Sequence, residues 1–312
     1  MENDDNSGAA SIVASVIHEY DVISDKDTHS KNEEDRLPVP DFHDSGRKSP
    51  APMTSRHRLS SSERSNTIKE DKIPTCPKVN CTEKIIFCVD ASIEMEKHSF
   101  RSRAGDKLSP KTLTKKGLAM FLHGKQRLDK KHEYALMFMQ DTALWVRDFT
   151  RNPRDIQVAL EDLIDQPYCD KCDMTALFDQ ISERVELPHV DGDLEILPPP
   201  FTVRLIFIYG RSHCLLEFSK TESFNILNSS PHFFLDAIYL HEPPSEENKC
   251  QEVFDTVCDL DRKGLSYILG ASRNPTKVYD AMAQLMAHPL QRPVQSDAAH
   301  RIGSSIPVPE NG

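Results

Sequence analysis

The chain has 312 residues, of which 38% are apolar, and a formal net charge of −11. That length suits one domain of about 200–250 residues plus a tail, or two small domains. The acid excess argues against a nucleic-acid binder built on a basic face, and no apolar run approaches the roughly 20 residues of a membrane helix.

The apolar deficit is concentrated at the start. Residues 1–35 hold ten acids against Lys26 and Lys31 and net −8, while 36–72 hold eight bases and five acids and net +3. Such segments bury too little apolar surface to offset the entropy of ordering. Residues 1–75 therefore read as a disordered, acidic, Ser-rich regulatory tail. In "RHRLSS", Arg56 and Arg58 stand five and three residues before Ser61, a spacing that basophilic kinases favour, and "KSP" offers Ser49 as a proline-directed site. Ser49 and Ser61 are the expected phosphorylation sites, each phosphate adding about −1.5 to −2 charge. The basic stretch "RKSPAPMTSRHRLSSSER" reads as a solvated linker. "SIVASVI" (11–17) is too short for a leader or a span, so secretion is not expected. Eight cysteines spread through a long chain suit reduced thiols in cytosol or nucleus.

From Glu83 two textures alternate. "KIIFCV" (84–89) is a continuous apolar run, the mark of a strand covered on both faces. "SPKTLTKKGLAMFLHGKQRL" (109–128) predicts a helix with Ser109 as cap, Pro110 at its first position and Leu113, Leu118, Phe121 and Leu122 on one face. "EYALMFMQDTALWVRDF" (133–149) predicts a hairpin turning at Gln140-Asp141. Helices follow at 152–164, capped by Asn152, and at 173–187, capped by Asp173 or Thr175. Buried strands are predicted at 201–212, 233–241 and 265–272. A helix at 248–264 ends on a glycine, and a last one, at 274–290, is opened by Asn274-Pro275 and closed by Pro289. Six strands alternating with helices call for a doubly wound, mostly parallel α/β sheet with one antiparallel edge strand and helices on both faces.

The first strand delivers "DASIE" to its C-terminal tip, the edge where open α/β sheets bind ligands. This layout resembles the von Willebrand factor A domain. In that family an Asp-x-Ser-x-Ser, a Thr from a later loop and an Asp after the central strand hold magnesium through hard oxygen donors. Asp90 and Ser92 match the first two ligands and Thr175 in "CDMTALF" the threonine. Glu94 stands where the second serine belongs, and in "IYGR" Tyr209 replaces the second aspartate. The expected site is therefore degenerate: Asp90, Ser92, Glu94, Thr175 and Tyr209, with no metal and no cofactor.

"CDKC" sets Cys169 and Cys172 at a spacing that zinc or redox chemistry can use, but a structural zinc needs two more ligands. Cys214 with His213, or Cys76 with Cys81, supply them only if the fold brings them close. No nucleophile elbow, His-Glu-x-x-His, Walker loop or zinc-isopeptidase pattern is present. An enzyme working through a Cys–His pair stays open as an alternative. "LMAHPLQRPVQS" (285–296) reads as an extended, proline-fixed peptide of a kind that docks into grooves.

"KVNCTEKIIFCVDASIEM", "LPPPFTVRLIFIY" and "LMAHPLQRPVQS" together closely resemble one family, from about Lys78 to Ser296. It is the Merit-forty family, the von Willebrand factor A-like subunit shared by BRISC and the nuclear BRCA "A" complex. The resemblance implies a von Willebrand factor A-like domain at 78–290 and an extended, partner-binding arm at 291–312. It implies a non-catalytic scaffold in complexes that remove lysine-sixty-three-linked ubiquitin chains, acting at DNA double-strand breaks, the G2 checkpoint and mitosis, in cytoplasm and nucleus. The implied direct partner is a ubiquitin-conjugating-enzyme-like subunit. A zinc isopeptidase and its pseudoenzyme partner sit in the same complex, with no direct nucleic acid and no membrane. His288, Pro289, Leu290, Gln291, Arg292 and Pro293 are the expected partner-binding residues, Leu290 as apolar anchor and Arg292 as charged contact. The alternative function is a metal-dependent, ligand-binding von Willebrand A domain.

Overall fold

The computed structural model describes residues 76–97, 99–163 and 171–298. The tail 1–75 with Ser49 and Ser61, the first cysteine of "CDKC" (Cys169) and the last part of the arm (299–312) lie outside the described residues.

In chain order, β1 (Thr82–Asp90) is followed by a small hairpin of β2 (Phe100–Arg101) and β3 (Lys107–Leu108), then α1 (Pro110–Leu128). The Ser109 hydroxyl accepts the Thr112 N–H at 3.2 Å and Pro110 takes the first helical position, where its missing N–H costs nothing. β4 (Glu133–Met139) and β5 (Ala143–Thr150) form the hairpin, and α2 (Pro153–Glu161) starts on the Asn152 cap, whose side chain accepts from Arg154 N–H at 3.2 Å. Then come β6 (Cys172–Asp173), α3 (Thr175–Arg184), β7 (Phe201–Tyr209), β8 (Leu216–Glu217) and α4 (Glu222–Ser229). β9 (Phe233–Leu240), α5 (Cys250–Asp259), β10 (Ile268–Ala271) and α6 (Thr276–Leu285) complete the chain of elements.

The main sheet has the order β10-β9-β7-β1-β4-β5, parallel except for the edge pair β4–β5. The chain winds from β1 to one side and then crosses to β7 on the other. The winding therefore reverses between β1 and β7, which is where a doubly wound sheet opens a crevice. Period-two alternation sends successive residues to opposite faces. Ile86, Cys88, Val203, Leu205 and Phe207 pack under α3, α4 and α5. Ile85, Phe87, Val89, Ile206 and Ile208 pack under α1, α2 and α6, with Val278, Met282 and Leu285 supplied by α6.

Several predicted boundaries contract. The helix predicted to Gly264 closes at Asp259. The Asp261 carboxylate then collects the N–H groups of Gly264, Leu265 and Ser266 and turns the chain, with Gly264 at φ 69. The last helix stops at Leu285, before Pro289 is reached. α4 is absent from the sequence reading, although Thr221 caps it by accepting Phe224 N–H at 3.3 Å.

Candidate functional site

The crevice between β1 and β7 is filled from within. Asp90 ends β1 with no exposure, and four donors satisfy its carboxylate: Ser92 N–H at 3.0 Å, Ser92 hydroxyl at 3.1 Å, Gly210 N–H at 3.0 Å and Arg211 Nε at 3.0 Å. Gly210 is needed for this approach, because a Cβ there would collide with Met95 Sδ. Arg211, also fully buried, donates further to the carbonyls of Lys171 at 2.8 Å, Met139 at 3.2 Å and Gln140 at 2.6 Å. Burial works to lower the pKa of this guanidinium, but Asp90 beside it raises it and keeps it charged. A fixed monovalent cation thus stands against the carboxylate that would hold an ion, and it ties the ends of β1 and β4 to the loop before β6.

Of the five degenerate positions, Asp90 and Ser92 meet. Glu94 joins their neighbourhood through Ser212 N–H, which donates to it at 3.0 Å. Thr175 turns elsewhere: its hydroxyl accepts from Ser219 N–H at 3.2 Å. Tyr209 points its hydroxyl to the Cys214 carbonyl at 3.1 Å and stacks between Phe207 and Tyr239. The donor set of a magnesium site is not assembled, and the residue that decides this, Arg211, is one that the family pattern does not flag.

The described cysteines make no such site either. Among the described residues no group of three or more His, Cys, Asp or Glu could hold a metal. Cys81 Sγ lies 3.6 Å from His288 Nε2. Leu290 N–H donates to His288 Nδ1 at 3.2 Å, so the neutral ring carries its proton on Nε2, facing the sulfur. Burial pushes the Cys81 thiol up to about 11 and His288 down to about 4. A nucleophilic thiolate needs the opposite arrangement.

The N-terminal half of the sheet holds a second ionic cluster, on the face covered by α1 and α6. Arg204 of β7 donates through Nε to Asp236 of β9 at 2.7 Å and through Nη1 to Glu83 of β1 at 3.2 Å. Lys125 of α1 bonds the other Glu83 oxygen. Arg292 completes the cluster with a two-pronged contact to Asp236, at 3.0 and 2.5 Å. Burial would raise both carboxylates, but Lys125 and Arg204 hold Glu83 low, and Arg204 and Arg292 hold Asp236 low.

This cluster corrects the expectation of an extended arm beginning at 291. After Pro289 the amides of Gln291 and Arg292 both bond back to the His288 carbonyl, at 2.9 and 3.0 Å, which turns the chain onto its own domain. The Arg292 guanidinium carbon sits over the Tyr267 ring, 4.0 Å from its centroid, and the side chain donates to the Leu265 carbonyl at 2.9 Å. Tyr267 hydroxyl donates to the Pro293 carbonyl at 2.9 Å, and the Gln295 side chain pairs with Ile268 backbone at 2.8 and 2.9 Å. His288, Pro289, Leu290 and Arg292 are buried, whereas Gln291 and Pro293 are exposed. Leu290 as a free apolar anchor and Arg292 as a free charged contact do not agree with that burial.

No family model matches the chain. It is 35% identical over 231 residues to BRISC and BRCA1-A complex member 1 of Danio rerio, an alignment that covers 72% of this chain and 62% of that protein. The protein of the same name from Xenopus laevis is 37% identical over 229 residues, with 72% and 69% covered, and that from Homo sapiens 36% over 231 residues, with 72% and 70% covered. This chain thus spans under two thirds of the Danio rerio relative. Among solved structures, the SpRpn10 VWA domain superposes with a TM-score of 0.43 at 13% identity, covering 69% of this chain and all of that one. The strand order, parallel apart from the β4–β5 edge pair, with helices on both faces, makes the fold von Willebrand factor A-like. With these relatives, the chain belongs to the family of BRISC and BRCA1-A complex member 1.

Proposed function

We propose that this chain is a non-catalytic scaffold subunit of a BRISC- or BRCA1-A-type assembly, the kind of complex in which its relatives are named as members. The observation that carries the reading is Arg211 on Asp90: the crevice where this fold would bind a ligand through an ion is occupied by an internal guanidinium. That same contact disfavours the alternative of a metal-dependent ligand binder, and the proton placement at Cys81–His288 disfavours a thiol enzyme. In this reading the assembly removes lysine-sixty-three-linked ubiquitin chains at DNA double-strand breaks, at the G2 checkpoint and in mitosis. A separate zinc isopeptidase and its pseudoenzyme partner do the chemistry, and the chain works in both nucleus and cytoplasm.

The direct partner in this reading is a ubiquitin-conjugating-enzyme-like subunit. Its contact face is the outer surface of the folded-back segment, where Gln291 and Pro293 are exposed. His288, Pro289, Leu290 and Arg292 then act by holding that face in shape. Co-expression with such a subunit tests this. Gln291→Arg together with Pro293→Asp should abolish co-purification while the isolated chain melts as before. Retained co-purification contradicts the proposed face. In a reconstituted assembly, omission of this chain should lower chain cleavage or assembly yield. Labelling of one of its own cysteines by a ubiquitin-based thiol probe contradicts the non-catalytic reading.

A further inference from the structure

A groove of about 390 Å³ opens at the C-terminal ends of β9 and β10, to one side of Asp90, lined by Ser99, Arg101, Glu242, Pro243 and Arg273. Three strand exits build it. The chain after β1 brings Ser99 and, in β2, Arg101, while β9 runs out towards Glu242 and β10 runs out into Arg273. The Arg101 N–H donates to the Arg273 carbonyl at 2.9 Å and stitches two of these exits together.

Both arginine side chains are exposed, and neither guanidinium has an ion-pair or hydrogen-bond partner among the described residues. The one carboxylate in the lining, Glu242, is already shared by Lys97 at 3.6 Å and His213 at 3.7 Å. Two features of the site cost stability. Arg101 stands directly opposite Lys107 in the β2–β3 ladder, and like charges so placed repel. Arg273 sits at φ 61, in the left-handed region that side chains other than glycine enter only at a cost in backbone strain. In a chain of net charge −11, this is cationic surface left without an internal counter-ion.

We propose that this groove binds a phosphorylated serine or threonine of a partner protein. A phosphate carries close to two charges and three acceptor oxygens, enough for two guanidinium forks, whereas a single carboxylate satisfies one. The Ser99 side chain lines the same groove and adds a hydroxyl donor. A nucleic-acid backbone needs a longer basic track than one groove offers. The site lies apart from the folded-back segment and does not depend on the complex-subunit reading.

The test uses the full-length chain and a fluorescein-labelled Glu-Glu-phosphoSer-Glu-Glu peptide, followed by anisotropy at fixed salt. Saturable binding is expected, with the unphosphorylated twin weaker by about tenfold or more, the loss of one charge-assisted contact. The pair Arg101→Gln and Arg273→Asn should weaken phosphopeptide binding by a similar factor. Its melting temperature should stay within about 2 °C of the parent, because both side chains are exposed and Asn tolerates positive φ. Arg154→Gln, on the exposed start of α2, should leave binding unchanged. Inorganic phosphate should compete at millimolar concentration. The proposal is overturned by no detectable phosphopeptide binding, by equal binding of the two peptides, by equal binding to the double variant, or by an oligothymidylate that displaces the peptide better than unlabelled phosphopeptide does.

Discussion

The two ends of the sheet each bury a guanidinium against a carboxylate, with different consequences for the chain. At the C-terminal end one anion meets one cation. Asp90 ends β1 and Arg211 lies just beyond the adjacent β7, and the pair closes on itself while bracing the surrounding loops. At the N-terminal end two anions, Glu83 and Asp236, meet three cations, Lys125, Arg204 and Arg292. The third cation arrives from beyond the last helix, 56 residues after its partner Asp236. The first cluster needs only the sheet and its own loops. The second is complete only when the C-terminal segment is in place, so that segment is part of the domain. A buried ion pair is weak support for net stability, yet breaking one by removing a single partner is costly. Both clusters should therefore tolerate mutation poorly, for different reasons.

The sharpest way to break the comparison is Asp236→Asn. It removes the one carboxylate of Arg292 and leaves buried Arg204 with Glu83 alone, and should cost about 3–5 kcal/mol by urea denaturation. A loss under about 1 kcal/mol would mean that the cluster is not ionised as drawn. Next comes Arg292→Ala, which leaves Asp236 its Arg204 partner but removes the contacts to Tyr267 and Leu265. A loss of about 2–3 kcal/mol is expected, whereas a free arm would give no change in melting temperature.

The smallest effect is in pH. His288 is pushed by burial down to about 4, from an ordinary value near 6.5. A lowered histidine is neutral in the folded chain while the unfolded chain takes up the proton first. Its contribution is intact above about pH 6.5 and is lost as pH falls towards 4, by about 2 kcal/mol at pH 5. His132, His232 and His241 are lowered too and share the fall. His288→Asn should flatten only part of the slope of urea midpoint against pH between 6.5 and 4.5. An unchanged slope would place His288 in solvent.

Much of the architecture was legible because parallel strands covered on both faces must be continuous apolar runs, and because Ser109-Pro110 and Asn152-Pro153 mark helix starts with side chains that do cap. α4 escaped because two turns of helix hold too few apolar repeats to stand out from a loop. The ionic cluster left a trace: Arg204 and Asp236 interrupt apolar runs in β7 and β9, and Glu83 stands just before the apolar run of β1, all at positions whose parity faces α1 and α6. Three such charges in neighbouring strands are a pairing signal that a strand-by-strand reading passes over. Arg211 and Arg292 were illegible in a stricter sense. Their meaning rests on carboxylates 121 and 56 residues away, and the prolines at 289 and 293 restrict the backbone without saying where the chain turns.

The most direct test of an internal cation in the ion's place is a magnesium titration of the full-length chain, beside Arg211→Ala, followed by melting temperature. The wild-type chain should show no shift up to about 10 mM magnesium, where a site of millimolar affinity would already add about 1 kcal/mol. The variant, with Asp90 released from the guanidinium, should be stabilised as magnesium rises. A magnesium-dependent rise in the wild-type chain that disappears in Asp90→Asn would contradict the assignment of Arg211.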